Sequence, residues 1–503
     1  MQKKKLTLVI VSLLVVVLSV SLAWFTTQII GKGKTVDVSS ANLQIVFTDS
    51  DGAISGSNIE PGWSDTKTFT VENNSKSEYK YNIVIKDLLN TFVTEGYLQY
   101  KITSTNNGYN MTEFKDIPKS IVATDTILAY SVVIPNGVTQ SYTIEFKYAN
   151  DESVDQSDDM GKKLSGTLFI TEGTEDPNKT LYNQLLVDKS TKLTRTDFST
   201  VLTTDNTNTL YTSTEDSKTV YYFAGNATDN WVKFGKNESN QDLYWRIIRT
   251  NSDGSVRLLY HGTSTTATDA VINTSTKFNE TRNDPMYVGY MYGTSGSLVN
   301  NRTNINNSTI KTTIDNWYTS NLEAKGYTKY LSTTAVYCND RSNPASGYNT
   351  GNTSFNYGAG TRLDTNETPT YDCTDTNDKF TVDTSTGNGK LTYPIALMTA
   401  DEVSFAGGVY RTKAETWYYY NSAKGSSTGS TWWWLLSSYR WNGSYAYVFG
   451  VGGSSIPGRL DDRDVNYTNG VRPAISLKSC IKYSTGNGSA SDPYTIKETS
   501  SGC

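Results

Sequence analysis

Apolar positions along this chain follow three patterns. Residues 6–23 run without a charged residue behind Lys3-Lys4-Lys5. Beyond them the apolar residues alternate. Leu43, Ile45 and Phe47 share one face, as do Tyr79, Tyr81, Ile83 and Ile85, then Tyr142, Ile144, Phe146 and Tyr148, and finally Leu164, Leu168 and Ile170. A period of two is that of a half-buried strand, and turn residues separate the runs, so residues 35–172 are expected to form a β-sandwich. Two of those turns echo each other: Ile59-Glu60-Pro61-Gly62 and Ile134-Pro135-Asn136-Gly137 each precede a strand.

Residues 173–179 are polar and read as a linker. In residues 180–503 the third pattern appears. Leu181, Leu185 and Leu186 fall at helical spacing, as do Ile310, Ile314 and Trp317, and Thr399-Ala400-Asp401-Glu402 has the form of a capping box ahead of Val403 and Phe405. Strand-like runs at 221–223, 231–234, 243–249 and 256–260 predict a meander, with Asn251-Ser252-Asp253-Gly254 closing its last hairpin. The Asn-, Thr-, Ser- and Gly-rich stretch 339–390 is expected as long ordered loops over the surface. The fold class is therefore mainly β with some α, a β-sandwich followed by an α+β domain.

Composition narrows the function. Charged residues make up only 19% of the 503, the net charge is −5, and tyrosines number 35. No basic run lies outside the extreme N-terminus, so no nucleic-acid partner is implied. His261 is the sole histidine, expected on a loop after the 256–260 strand. One histidine cannot build a multi-His metal site and disfavours Ser-His-Asp chemistry. Neither a cofactor nor a metal is implied, and the reading is binding rather than catalysis.

The lysine-led segment 1–23 reads as a signal peptide or a signal anchor, which places the rest outside the membrane. Ser21-Leu22-Ala23 offers small residues at the −3 and −1 positions of a cleavage site. An uncleaved segment would make the membrane a partner. Cys338, Cys373, Cys480 and Cys503 allow three pairings in an exported chain. Cys338–Cys373 is favoured because it would staple the long loop, and Cys480–Cys503 because it would tie down the terminus.

Two resemblances add to this. The order of lysine-led leader, Ala23-Trp24-Phe25-Thr26, Leu43 strand, Ile59-Glu60-Pro61-Gly62 and Phe69-Thr70-Val71-Glu72-Asn73-Asn74-Ser75 resembles the TasA/camelysin family of secreted jelly-roll proteins. That likeness implies a jelly-roll-like sandwich and, as an alternative function, a fibre or biofilm matrix subunit. In the second domain, Tyr244-Trp245-Arg246-Ile247-Ile248-Arg249, Tyr337-Cys338-Asn339-Asp340-Arg341-Ser342, Leu391-Thr392-Tyr393-Pro394-Ile395-Ala396-Leu397, Trp432-Trp433-Trp434-Leu435-Leu436-Ser437-Ser438 and Gly470-Val471-Arg472-Pro473 resemble a family of bacterial surface domains. Its ending is similar to the C-type-lectin-like fold of formylglycine-generating enzymes and retroelement variable proteins. It implies a fold and a surface setting but no known ligand; the partner expected is an unidentified protein or glycan outside the cell. The lectin calcium signatures Glu-Pro-Asn and Trp-Asn-Asp are missing, and Cys480 and Cys503 lie beyond the motif, which leaves a formylglycine-generating enzyme as a remote second alternative.

Between those landmarks lies a recognition-like composition: Tyr439, Arg440, Trp441, Asn442, Arg459, Asp461, Asp462, Arg463, Asn466 and Tyr467. Rigid aromatics and arginines with short polar neighbours are the residues of binding surfaces. Turns at Asn442-Gly443, Gly452-Gly453 and Pro457-Gly458 are expected to free these side chains from the core. Tyr445, Tyr447 and Phe449 alternate as on one strand, open to either role, while the Trp432–Trp434 run reads as core. As for export, N-terminal sequencing of the surface-borne protein should find a mature chain beginning near Trp24; Met1 at the terminus would identify an anchor instead.

Overall fold

A computed structural model describes residues 35–40, 43–49, 53–55 and 59–503, except positions 112, 178, 268, 269, 344–346, 349, 352, 418, 419 and 422–430. The leader segment thus lies outside the described residues, as do the side chains of Leu43, Ile45 and Phe47. The chain is mainly β with some α, and it divides into two compact units, one ending at Pro177 and one running to Cys503.

In the first unit a six-stranded sheet runs in the order Thr35–Ser40, Leu43–Asp49, Ser64–Asn73, Thr139–Tyr148, Leu98–Ser104, Lys115–Asp116. A four-stranded sheet runs Ala53–Ser55, Leu164–Glu172, Tyr79–Asn90, Ser120–Ile134. The alternating residues explain why the two sheets face each other. Val71, Ile102, Tyr142, Ile144 and Phe146 from one and Tyr81, Ile83, Ile85, Leu164 and Leu168 from the other form a single buried cluster. The two tyrosine hydroxyls in that layer satisfy each other: Tyr81 donates to Gln140 at 2.6 Å and lies 2.6 Å from Tyr142. Gly62 and Gly137 both adopt positive φ, 93° and 69°, the conformation their turns require. The stretch read as a linker begins fixed: Gly173 N–H donates to Lys80 C=O at 2.9 Å and Thr174 N–H to Asn82 Oδ1 at 3.1 Å.

In the second unit the larger sheet is built around Val256–Tyr260, which pairs with Asp242–Thr250 on one side and Pro473–Leu477 on the other; Pro473–Leu477 then pairs with Ile395–Leu397. The predicted hairpin closes as Asn251 N–H meets Ser255 C=O at 2.8 Å. A second sheet runs Asn273–Lys277, Thr468–Val471, Trp433–Trp441, Ala446–Val451, Leu460–Asp464, and Phe355–Asn356 also pairs with Trp433–Trp441. The three predicted helices are Leu181–Asp188, Thr309–Tyr318 and Ala400–Ala406, the last with a complete Thr399/Glu402 capping box. Cys338 is bonded to Cys373 and Cys480 to Cys503, which points to an oxidising environment. Among the described residues no helix is long and apolar enough to cross a membrane.

The surface-loop expectation for 339–390 holds only in part: most of its described residues are exposed or half-buried, yet several polar ones turn inward. Asn339, Arg341, Tyr357, Phe380 and Thr381 are buried. The Asn339 side chain donates to Leu436 C=O at 2.9 Å and accepts from Tyr290 N–H at 2.8 Å. Arg341 Nε donates to Asp378 at 2.7 Å while its Nη groups reach Met291 C=O and Asn304 Oδ1, both at 2.9 Å. Polar composition here builds a hydrogen-bonded core.

A second set of buried charges joins the larger sheet to a helix. Glu402 Oε1 accepts from Arg249 Nε at 2.9 Å and from Arg257 Nη1 at 2.7 Å, and Arg249 Nη2 reaches Glu215 at 2.8 Å. Burial opposes ionisation of Glu402, but Arg257 and Arg249 outweigh it and hold the carboxyl below its ordinary value. A folded-state pKa below the unfolded one contributes stability that is complete above the unfolded value, about 4.3, and lost as pH falls through the folded one. Glu402→Ala should cost about 3–5 kcal/mol at neutral pH because it strands two buried arginines. Urea melts at neutral and acidic pH check both points: the deficit of the variant should shrink on acidification.

Candidate ligand-binding face

The stretch that sequence singled out forms a three-stranded antiparallel corner: Trp433–Trp441, Ala446–Val451 and Leu460–Asp464. Directly opposed residues share a face, so Arg440, Tyr447 and Asp464 lie in one row, through the pairs Arg440↔Tyr447 and Tyr447↔Asp464. Asn442 shapes the first turn. Its Oδ1 accepts from Tyr445 N–H at 2.7 Å and Ser444 N–H at 2.9 Å, and its Nδ2 donates to the Tyr447 hydroxyl at 3.2 Å.

Around Tyr447 the charges alternate in sign. The Arg440 guanidinium lies 4.9 Å from the Tyr447 ring and 5.3 Å from that of Tyr439, with Nη2 3.9 Å from Asp462. Arg282 pairs with Asp464 and stacks 3.8 Å over Tyr445. Arg411 extends from the Val409–Thr412 turn, its side chain 60% exposed and its Nη2 4.0 Å from Asp462. Its backbone φ is +58°, held by Arg411 N–H donating to Leu460 C=O at 2.8 Å.

Beneath these groups runs a hydroxyl–carboxylate chain, buried at Tyr410 and Tyr439 and ending at the exposed Asp364. Tyr410 donates to Asp462 and lies 2.8 Å from the Tyr439 hydroxyl, which donates to Asp364 at 3.0 Å. Burial holds the Asp462 carboxyl above its ordinary value, although Tyr410, Arg440 and Arg411 draw it down. The Tyr439 phenol is pushed up to about 12, first by burial and then by Asp462 and Asp364.

The expectation that residues 439–467 are released from the core needs correcting. Tyr439 and Trp441 are 2% exposed. Tyr439 packs edge-on to Phe449 at 5.0 Å, and Trp441 Nε1 donates to Gly351 C=O at 3.1 Å. The Phe355–Asn356 strand and the Tyr357 N–H bond to Tyr439 C=O, 2.9 Å, cover this part of the sheet. Asp461 is buried too and pairs with Arg459. Turns release the turn residues; the strands between them stay pinned. Asn442 and Tyr467 are exposed, and Arg440, Arg459, Asp462, Arg463 and Asn466 are half-buried. Arg463 belongs to a separate stack, 3.8 Å from Trp432 and 5.7 Å from Tyr467. Of the tryptophan run, Trp433 and Trp434 are core and Trp432 is half-buried. Arg411, Tyr410, Asp364 and Arg282 were not foreseen, since they reach the face from distant loops that carry no local pattern.

Other polar clusters offer less. A cavity lined by Arg249, Arg257, Arg362 and Asp401 measures about 20 Å³, room for a single water, and its arginines are saturated by carboxylates, Arg362 by Asp340 and Asp401. His261 occupies its expected loop but is buried, 4.3 Å from Trp231, and burial, with Arg246 and Arg472, holds it well below the ordinary histidine value. Among the described residues no three His, Cys, Asp or Glu side chains are grouped to hold a metal ion. The fold and face define a disulfide-bridged, mainly β protein of two units, the second carrying an arginine–tyrosine surface. No protein-family model, curated protein or solved structure matches the chain.

Two substitutions separate core from face. Trp441→Ala should cost about 3–5 kcal/mol, as an aromatic removed from a packed core does, whereas Arg440→Ala should cost about 1 kcal/mol or less. Equal losses in urea denaturation would contradict this division.

Proposed function

We propose that this is an exported, cell-surface ligand-binding or adhesion protein, with a β-sandwich stalk and a lectin-like binding head, and that the Tyr447 face is where the head meets its ligand. The observation that carries the reading is the contrast in satisfaction. The buried Arg249, Arg257 and Arg341 are held by carboxylates and carbonyls at hydrogen-bonding distance, whereas Arg411 and Arg440 stand at the rim with donors to spare over Tyr410, Tyr439 and Asp462. Pre-ordered arginine and tyrosine side chains bind at low entropy cost. Both disulfides and the lysine-led apolar leader support export. The partner is a protein or glycan outside the cell.

One observation favours a second reading, a fibre or matrix subunit resembling the TasA/camelysin family. Ser120–Ile134 is an edge strand of 15 residues with Ile121 80% and Val122 69% exposed, and an open apolar edge templates strand addition. The exported chain should be screened on glycan and protein arrays. Ligands retained by the wild type should be lost on Tyr447→Ala and Arg440→Ala while both variants still unfold cooperatively. Concentration-dependent filaments in electron micrographs, with array ligands indifferent to both changes, would favour the fibre reading.

A further inference from the structure

The Tyr447 face carries information about the chemistry of its ligand. Arg411 and Arg440 approach Asp462 only to 4.0 and 3.9 Å, beyond hydrogen-bonding distance. The Asp462 Oδ1 that Arg411 faces is already taken by the Tyr410 hydroxyl. Arg440 Nε is buried without a partner. Two planar guanidinium groups therefore converge on one carboxylate without completing a bidentate pair with it, and a guanidinium fork is shaped for a carboxylate. Arg411 is held for this in a backbone conformation, φ +58°, that residues other than glycine adopt at a cost.

The neighbours set the character of the rest of the ligand. Arg282, Arg411 and Arg440 are interleaved with Asp364, Asp462 and Asp464, so the face is neutral as a whole. A dense polyanion would meet three carboxylates for its three arginines and gain little. A ligand with one carboxylate set among hydroxyl groups fits better, because the exposed Asp364 carboxylate accepts hydroxyl hydrogens where the arginines take the anion. Tyr445, 36% exposed beside Tyr447, adds an aromatic surface against which a sugar ring packs. Resting on the binding-face reading above, we propose that the ligand is a carboxylate-bearing saccharide, a sugar acid whose carboxylate is gripped by Arg411 and Arg440 with Asp462 beneath.

The site then has a built-in pH response. Asp462 is faced by Tyr410 and Arg411 from the Val409–Thr412 turn, by Arg440 and Tyr439 from Trp433–Trp441, by Tyr447 from Ala446–Val451, and by its neighbour Asp461; Asp364 lies beyond Tyr439. A bound carboxylate is repelled by ionised Asp462. Burial raises the Asp462 pKa, so as pH falls Asp462 is neutralised at a higher pH than an ordinary carboxylate, which removes its repulsion of the ligand while both arginines stay charged. Affinity should rise as pH falls, until the sugar acid itself protonates.

The test uses the full exported chain titrated with polygalacturonate, its methyl ester, neutral dextran and poly-L-glutamate, at about pH 5 and about pH 7.5. Polygalacturonate should bind, more tightly at the lower pH, and the methyl ester should bind at least about tenfold more weakly. Arg411→Gln and Arg440→Gln should each cost about tenfold or more with unchanged melting temperature. Asp462→Asn, which keeps an acceptor for Tyr410, should tighten binding and flatten its pH dependence. Absence of polygalacturonate binding, equal binding of the ester, or tighter binding of poly-L-glutamate overturns the sugar-acid assignment. If a neutral array ligand is lost on Tyr447→Ala, the face stands and only the ligand class falls; if array ligands ignore every face variant, the face itself falls.

Discussion

Glu402 is the group on which the second unit is assembled. One carboxylate oxygen takes Arg249 and Arg257 from adjacent strands, and the other accepts the Thr399 N–H at 2.9 Å to cap the helix Ala400–Ala406. Buried arginines are tolerable only when paired, so strand hairpin and helix must meet in this register. The register is then passed outward. Ala400 N–H donates to Ser437 Oγ at 2.9 Å and Leu436 N–H to Met398 C=O at 2.8 Å, which fixes the strand that carries Tyr439 and Arg440. Gly407, at φ 119°, ends the helix and sends the chain toward Tyr410 and Arg411. Both arginines of the proposed grip are thus positioned by a buried ion cluster that they do not touch.

The same logic explains a composition low in charge and rich in aromatics. Several of the arginines lie inside, each stacked on a ring: Arg246 on Trp231 at 4.0 Å, Arg249 on Tyr371 at 4.3 Å, Arg257 on Tyr337 at 4.4 Å, Arg472 on Trp433 at 4.8 Å. A guanidinium sheds water more readily than an ammonium and offers flat faces to aromatic rings. Its in-plane donors still need acceptors, and Arg246 finds Asn230 and Ala227 while Arg472 finds Tyr260. The result is a core held by directional bonds as well as by apolar packing.

What the sequence made legible was whatever acts over a few residues. Alternation gave the sandwich strands, because Tyr142, Ile144, Phe146 and Tyr148 each bury on the same side. Thr399 and Glu402 announced a helix start, because a capping box is complete within four residues. Tyr439 and Trp441 were misread, because their burial depends on the strand Phe355–Asn356, over eighty positions away in sequence. Arg341 was hidden in a polar stretch for the same reason: its acceptors come from Met291, Asn304 and Asp378. Hydrophobic pattern identifies cores made of apolar residues, and this core is partly made of something else.

That leaves a criterion for function which composition alone does not supply. Arginine and tyrosine are plentiful both inside this unit and at its surface, so their presence near 439–467 distinguishes nothing by itself. The satisfaction of their hydrogen-bonding groups does. Arg249, Arg257 and Arg341 have acceptors at 2.7–3.1 Å; Arg411 and Arg440 come no nearer to Asp462 than 4.0 and 3.9 Å. Unused donors cost free energy where water is excluded and little where it is admitted, so Arg411, 60% exposed, keeps its donors open to solvent at little cost. Two guanidinium groups converged on one carboxylate without completing a pair with it, one of them on strained backbone, are what supports the proposed binding face.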